Sequence, residues 1–249
     1  MRLVWVARRR ASDIVMYLIV NADDLGLTPG VNRGISEAHL RGIVTSASLM
    51  VDEPASEEAA QLCAELPQLS VGLHVKMPDE RARPLSDLRT PALNAELERQ
   101  LERFHVLVGR EPAHLDSHHN IHFLPDAALG FAEAAQARGL MLRGSGPTRY
   151  LPSFYGQWDG QTHLEQIGVE ALLAMIESDA GDGFTELGCH PGYVDAALES
   201  SYSIEREAEL RTLCDPFVRA RIDELGIELV SSSTAAHLLA TANAGRSSR

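Results

Sequence analysis

Short apolar runs alternate with longer stretches of helical periodicity along nearly the whole chain. YLIVNADD (17–24) is β-branched and apolar until it ends in two acids, the pattern of a buried strand. Residues 29–41 then read as a helix, with Thr28 as N-cap and Pro29 at the first helical position. Further strands are expected at GIVTSASLMV (42–51), LSVGLHV (69–75), PAHLDSHH (112–119), GLMLRG (139–144), FTELGCH (184–190) and IELVSS (227–232). Helices are expected at 53–65, 91–108, 125–138, near 163–179, within 202–225 and from Ser233. Residues 145–162, rich in Gly, Pro and aromatics, show no period. Seven strands, each followed by a helix, imply parallel pairing through helical crossovers. The strands are nearly all apolar, as when both faces are covered. The expected fold is α/β, a distorted (β/α) barrel of about seven parallel strands. An open doubly wound sheet is the alternative, but no GxGxxG follows the first strand.

The polar residues concentrate at the C-terminal ends of these strands. Asp23 and Asp24 end the first, His74 the third, Asp116 and His118 the fourth, Arg143 the fifth and His190 the sixth. In β/α barrels the active site is assembled from several strand ends on this face. Each residue has an ordinary alternative: Asp23-Asp24 before Gly26 suits a turn, a lone His74 suits a structural role, and Cys189 suits a small buried apolar position. HLDSHHNIH (114–122) holds four histidines and an aspartate. On a continuing strand His114, Asp116 and His118 share one face, with His118 nearest the mouth. Asp116, one layer deeper, is placed to orient a metal ligand. His122 follows the strand end and is expected at the rim, and Tyr155 and Trp158 could stack on a sugar ring.

Composition narrows the partners. The chain has 249 residues, is 45% hydrophobic and carries a net charge of −13, with a pI near 5.2. That excludes a general nucleic acid or anionic-membrane binder, and no apolar run approaches a membrane span. Lys76 is the only lysine. Three cysteines without a CxxC argue against a disulfide framework or a zinc cluster and fit a reducing, cytoplasmic compartment. The start of the chain has only a five-residue apolar stretch, LVWVA, too short for a signal-peptide core. Residues 1–15 are therefore read as a disordered leader or upstream extension before Met16, residues 16–241 as a single domain, and 242–249 as a flexible tail.

LIVNADDLG, GIVTSASLMV, VGLHV, HLDSHHNIH and GCHPGY, in this order, resemble the YdjC-like carbohydrate deacetylases, the chitooligosaccharide deacetylase family. The resemblance runs from about residue 17 to about residue 232 and implies the distorted barrel already expected. It implies one divalent metal ion, zinc or magnesium, held by Asp24, His74 and His118; imidazole ligands rank zinc first. It also implies Asp23 as the catalytic base and His190 as the general acid. Asp116, Arg143, His122 and Tyr155 would support the metal or the substrate. Leu25 and Asn120 depart from the family's usual Phe and His. The implied reaction is removal of an N-acetyl group from an amino sugar or oligosaccharide, and a homodimer is the expected assembly. The alternatives are a metal-dependent phosphoesterase or amidohydrolase, for which His114, His119 and His122 could supply a second ion, and a non-catalytic sugar-binding protein.

Overall fold

The computed structural model describes residues 15–78 and 90–247, so the expected leader lies almost wholly outside the described residues. In chain order the elements are β1 (Met16–Leu25), α1 (Pro29–Arg41), β2 (Ser46–Leu49), α2 (Ser56–Glu65), β3 (Ser70–Val75), α3 (Thr90–Val108), β4 (His114–Ser117), α4 (Pro125–Arg138), β5 (Met141–Leu142), β6 (Thr148–Leu151), β7 (Gln157–Trp158), β8 (Gln161–Thr162), α5 (Val169–Asp179), β9 (Gly183–Cys189), α6 (Ile204–Leu213), α7 (Pro216–Glu224), β10 (Ile227–Leu229) and α8 (Ser232–Ser247). One sheet runs β5-β4-β3-β2-β1-β9-β6, with β10 joined to β1. All its pairings are parallel. The sheet curls into a distorted barrel, and β5 and β6 terminate the series on either side of its seam.

Two features depart from the expected alternation. β6 lies inside the segment read as patternless and follows β5 with no helix between them. Its four residues, TRYL, are too short to display a period. β7 and β8 add a small antiparallel hairpin from the same segment. The helical stretch expected within 202–225 is split in two. Asp215 accepts from Phe217 N and caps α7, and Pro216 takes its first position. α8 extends to Ser247, into the stretch expected to be a flexible tail.

The strands are more patterned than their apolar composition suggests. Leu18, Val20 and Ala22 of β1 join the main core cluster beneath the helices, as do Ala47, Leu49, Val71, Leu73, Leu115 and Leu187. Fully burying a Leu or Val is worth roughly 1.5–3 kcal/mol, so this layer holds helices to sheet. The opposite face lines the barrel interior. At the N-terminal end of the strands, Ile19, Val230 and Ala235 form a separate small cluster with Tyr17, Met141 and Phe184 packed on it. This apolar floor is sealed by the start of α8, whose Ser232 and Ser233 N–H groups donate to Ser46 and Ser70. Above the floor the interior is polar: Asn21, Ser48, His74, His114, Asp116, Arg143 and Glu186 are all buried.

Candidate active site

The double aspartate is presented by an irregularity in β1. The β1–β2 register holds at Asn21↔Ser46 and Ala22↔Ala47, then shifts before Leu25↔Leu49. Asp24 has φ 67° and Gly26 φ 94°. In a regular strand consecutive side chains face opposite ways. A bulge re-aims one of them, and here Asp23 and Asp24 both line the same cavity. Asp is among the few non-glycine residues that tolerate this left-handed conformation.

His74 connects the aspartates of two strands. Its Nδ1 is 2.7 Å from Asp116 Oδ1 and its Nε2 is 3.4 Å from Asp24 Oδ1. Burial opposes a charge on His74, but the flanking carboxylates outweigh it and raise its pKa to about 10. Asp24 Oδ2 accepts from Arg206 Nη2 at 2.6 Å. Burial works against the Asp24 carboxylate, yet Arg206 and the neighbouring histidines hold its pKa well below the usual range. Asp24 Oδ1 is buried and accepts no hydrogen bond. A buried carboxylate oxygen without a donor is costly. Its neighbour across the gap is the one nitrogen of His74 that Asp116 does not hold. The His118 ring stands edge-on to His74 with centroids 5.9 Å apart, and it lines the same cavity.

Asp116, expected from sequence one layer below His118, is buried and touches His74, Ser48 and Arg143. Asp23, His74 and Asp116 also bring one ligand atom each within 4.8 Å of one another. Both of those carboxylates already accept from Arg143, which leaves Asp24 Oδ1 and His74 Nε2 as the uncommitted pair. Arg143 is buried and lies among three carboxylates. It reaches Asp23 at 2.7 Å through both terminal nitrogens, Asp116 at 2.8 Å and, through Nε, Glu186 at 2.7 Å. Burial raises the Asp23 pKa, but Arg143 outweighs that and holds it below the ordinary value. His190 Nε2 is 3.9 Å from Asp23 Oδ2. Its ring is 24% exposed, and burial pushes its pKa down to about 4 against the pull of Asp23 and Asp24. The imidazole is therefore neutral at pH 7.

The remaining histidines divide clearly. β4 ends at Ser117, and residues 118–123 form a 3₁₀ turn in which His119 and Asn120 have φ of 53° and 52°. His118 therefore reaches the cavity from the start of a turn, not as the last position of a strand face. His122 is buried, not at the rim: Ser117 Oγ lies 2.6 Å from its Nδ1 and accepts its backbone N–H at 3.0 Å. His114 Nε2 is 2.9 Å from Ser48 Oγ, deep in the barrel. Each keeps one buried ring nitrogen without a hydrogen-bond partner, His114 Nδ1 and His122 Nε2. Tyr155 lines the cavity and stacks on Tyr202 at 4.5 Å and 8°. Trp158 stacks on His163 in the β7–β8 hairpin. The cavity has a volume of about 660 Å³, room for a sugar unit and its substituents.

Four residues that sequence reading passed over complete the site: Glu186, Tyr202, Arg206 and Glu209. Arg206, Glu209 and Tyr202 belong to the segment around α6 that reads as an ordinary charged helix. The available signal was a helix whose charged residues are buried, Glu205, Arg206 and Glu209 among them. Together Asp23, Asp24, Asp116, Glu186 and Glu209 are buried against only two arginines, Arg143 and Arg206. His74, held charged by its flanking carboxylates, adds a third positive group. Burial raises Glu186 and lifts Glu209 to about 8.

A family model for YdjC-like proteins matches residues 17–224. The chain is 36% identical over 247 residues to a protein of Geobacillus stearothermophilus named carbohydrate deacetylase, covering 86% of this chain and 96% of that one. It is 34% identical over 251 residues to a chitooligosaccharide deacetylase of Citrobacter koseri, covering 86% and 97%. Among solved structures, a protein of Enterococcus faecalis V583 provisionally described as a cellobiose-phosphate cleavage protein superposes with a TM-score of 0.75 at 29% identity, covering 88% and 98%. A peptidoglycan deacetylase of Bacillus subtilis superposes at 0.56 with 14% identity, covering 93% and 95%, a likeness of fold alone.

Proposed function

The chain belongs to the YdjC-like family, and we propose that it is a metal-dependent carbohydrate deacetylase that removes an N-acetyl group from an amino sugar or oligosaccharide. The observation that carries this reading is the facing pair of Asp24 Oδ1, buried without a donor, and His74 Nε2, 3.4 Å away. The spacing suits two atoms sharing one cation. Asp116 and Asp24 together hold His74 protonated in the absence of an ion, and a cation would take the place of its Nε2 proton. His118 would complete the ligand set from the cavity wall. Two imidazoles and one carboxylate favour zinc over magnesium. The names of the relatives and the polar, sugar-sized cavity support the substrate class.

A divalent ion held by Asp24, His74 and His118 would lower the pKa of water and polarise the amide carbonyl. The chain's own residues account for the rest. Asp23 is ionised at neutral pH, and Arg143 fixes the plane of its carboxylate. Held so low in basicity, it serves as a base only toward an acidified water. His190, across the cavity from the aspartates, would protonate the leaving amine. Tyr155 would pack against a sugar ring. An acetate-release screen over N-acetylated sugars, with and without chelator, tests the reading. Chelator-sensitive acetate release is the expected result; metal-independent release, or none from any acetylated amino sugar, overturns it.

A further inference from the structure

The turn after β1 is held by a buried side chain that takes no part in the chemistry above. Leu27 N–H donates to Asp24 O at 3.1 Å and closes a turn over residues 24–27. Gly26, within it, has φ 94°, a left-handed value that glycine adopts without steric cost. A Cβ on Gly26 would lie 2.7 Å from the Met50 carbonyl oxygen, so the turn is pressed against the end of β2. The Gly26 N–H donates to Asn32 Oδ1 at 2.7 Å. Asn32, on α1, is fully buried. Its Nδ2 donates to Ala55 O at 3.1 Å and to Glu58 Oε1 at 3.2 Å. Gly26 O in turn accepts from Ala55 N–H at 3.0 Å. Asn32 and Ala55 thus hold both backbone polar groups of Gly26 and tie the turn to the start of α2.

We infer that Asn32 is a positioning residue for the metal ligand Asp24, clamping the turn that keeps the Asp24 carboxylate aimed into the cavity. This rests on the metal-dependent reading above, in which Asp24 is a ligand. Asp24 has φ 67°, a conformation disfavoured for a residue with a Cβ. Such a residue persists where its surroundings over-determine it. Arg206 restrains the Asp24 side chain through Oδ2, but the backbone needs a restraint of its own. Leu27 holds Asp24 O, and Asn32 holds the N–H two residues on. Without the Asn32 oxygen, the Gly26 N–H is a buried donor with no partner, and turning it toward water relieves that penalty. The Leu25–Gly26 peptide then rotates, and Asp24 relaxes toward the extended backbone of an ordinary strand. A cation would have to restore the left-handed turn each time it binds, and the loss appears in its affinity.

The zinc Kd of the metal-free protein, read by competition with a chromophoric chelator, tests this. Asn32→Ala should weaken zinc binding by about tenfold or more, the usual scale for a group that orients a ligand. Asn32→Asp keeps an oxygen for the Gly26 N–H and loses both Nδ2 bonds. It should bring the zinc Kd back to within about threefold of the parent. Ile176→Ala, a core truncation on α5, lowers stability without touching the turn, and its zinc Kd should stay within about threefold of the parent. Chemical denaturation of each metal-free variant sets the losses of stability beside the losses of affinity. Asn32→Ser, too short to reach the Gly26 N–H, carries the test if Asn32→Ala does not fold. Unchanged zinc affinity in Asn32→Ala, an equal weakening in Ile176→Ala, or Asn32→Asp no tighter than Asn32→Ala overturns the inference. A parent protein that binds no zinc overturns the metal reading beneath it, before any variant is compared.

Discussion

Arg143 grips Asp23 with two hydrogen bonds of 2.7 Å, one from each terminal nitrogen to a different carboxylate oxygen. A planar fork of this kind fixes both the position and the plane of the acid. A lysine ammonium cannot reproduce it. Arg143→Lys should lower kcat for acetate release by about 10- to 100-fold with little change in KM. Arg143→Met should do more, because it leaves Asp23, Asp116 and Glu186 buried without their common counter-charge. That should cost about 3–5 kcal/mol, read as a lower denaturation midpoint. A lysine variant with parental kcat would show that the fork is dispensable.

Metal binding and base catalysis separate by residue. Asp23→Asn should retain about one equivalent of bound metal per chain and lose acetate release by 10²–10⁴-fold, roughly. His118→Ala should lose both the metal and the activity. Metal analysis of the purified variants beside the parent checks this. Two equivalents in the parent would instead favour a binuclear hydrolase, despite the engagement of His114 and His122 with Ser48 and Ser117.

Acid should weaken the fold in a defined window. Burial holds the pKa of His114 and of His122 down to about 4, against about 6.5 in an unfolded chain. Groups depressed in this way contribute stability above the unfolded pKa and lose it as the pH falls through the folded one. Between pH 6.5 and 4 the unfolded chain binds protons that the folded chain refuses. Each histidine then removes about 1.4 kcal/mol per pH unit. His74, raised to about 10, stays charged in the metal-free protein across this window and adds no slope, while Glu209, raised to about 8, opposes the fall by about as much as His190, held down to about 4, adds to it. Thermal melts of the metal-free protein from pH 7.5 to 4.5 should show Tm falling below pH 6.5, and a flat profile would refute the assignment.

Gly72 sets how closely β3 approaches the ring of His114. A Cβ there would lie 2.5 Å from three atoms of that ring, nearer than any real contact. Gly72→Ala should therefore destabilise the protein by roughly 1–3 kcal/mol, measured by chemical denaturation. The ring would be pushed off Ser48 Oγ, now 2.9 Å away.

The strand-end residues were legible because their positions follow from burial and periodicity. Asp23, Asp24, His74, Arg143 and His190 close apolar runs, and a barrel gathers such ends. What one sequence hides is direction. Nothing in NADDLG marks the register shift that turns Asp23 and Asp24 the same way. HLDSHH looks like an unbroken strand face, although its backbone turns at His118. Arg206 and Glu209 sit in a helix whose polar composition resembles a solvated face, and only the fold reveals that this face covers the barrel mouth. The polar interior was obscured for a related reason. Serine, glycine and histidine alternate with leucine and valine in β2 to β4, and small polar residues are read easily as part of an apolar run.

The apolar floor of Tyr17, Ile19, Phe184 and Val230, capped by α8, makes the barrel a blind-ended vessel. Among the described residues, Asp23 opens onto the cavity lined by Tyr155 and His118. In the proposed deacetylation, two products of unequal size would leave past that rim. The order in which they leave, and how long the second lingers after the first, is governed by the rim and not by the chemistry below it.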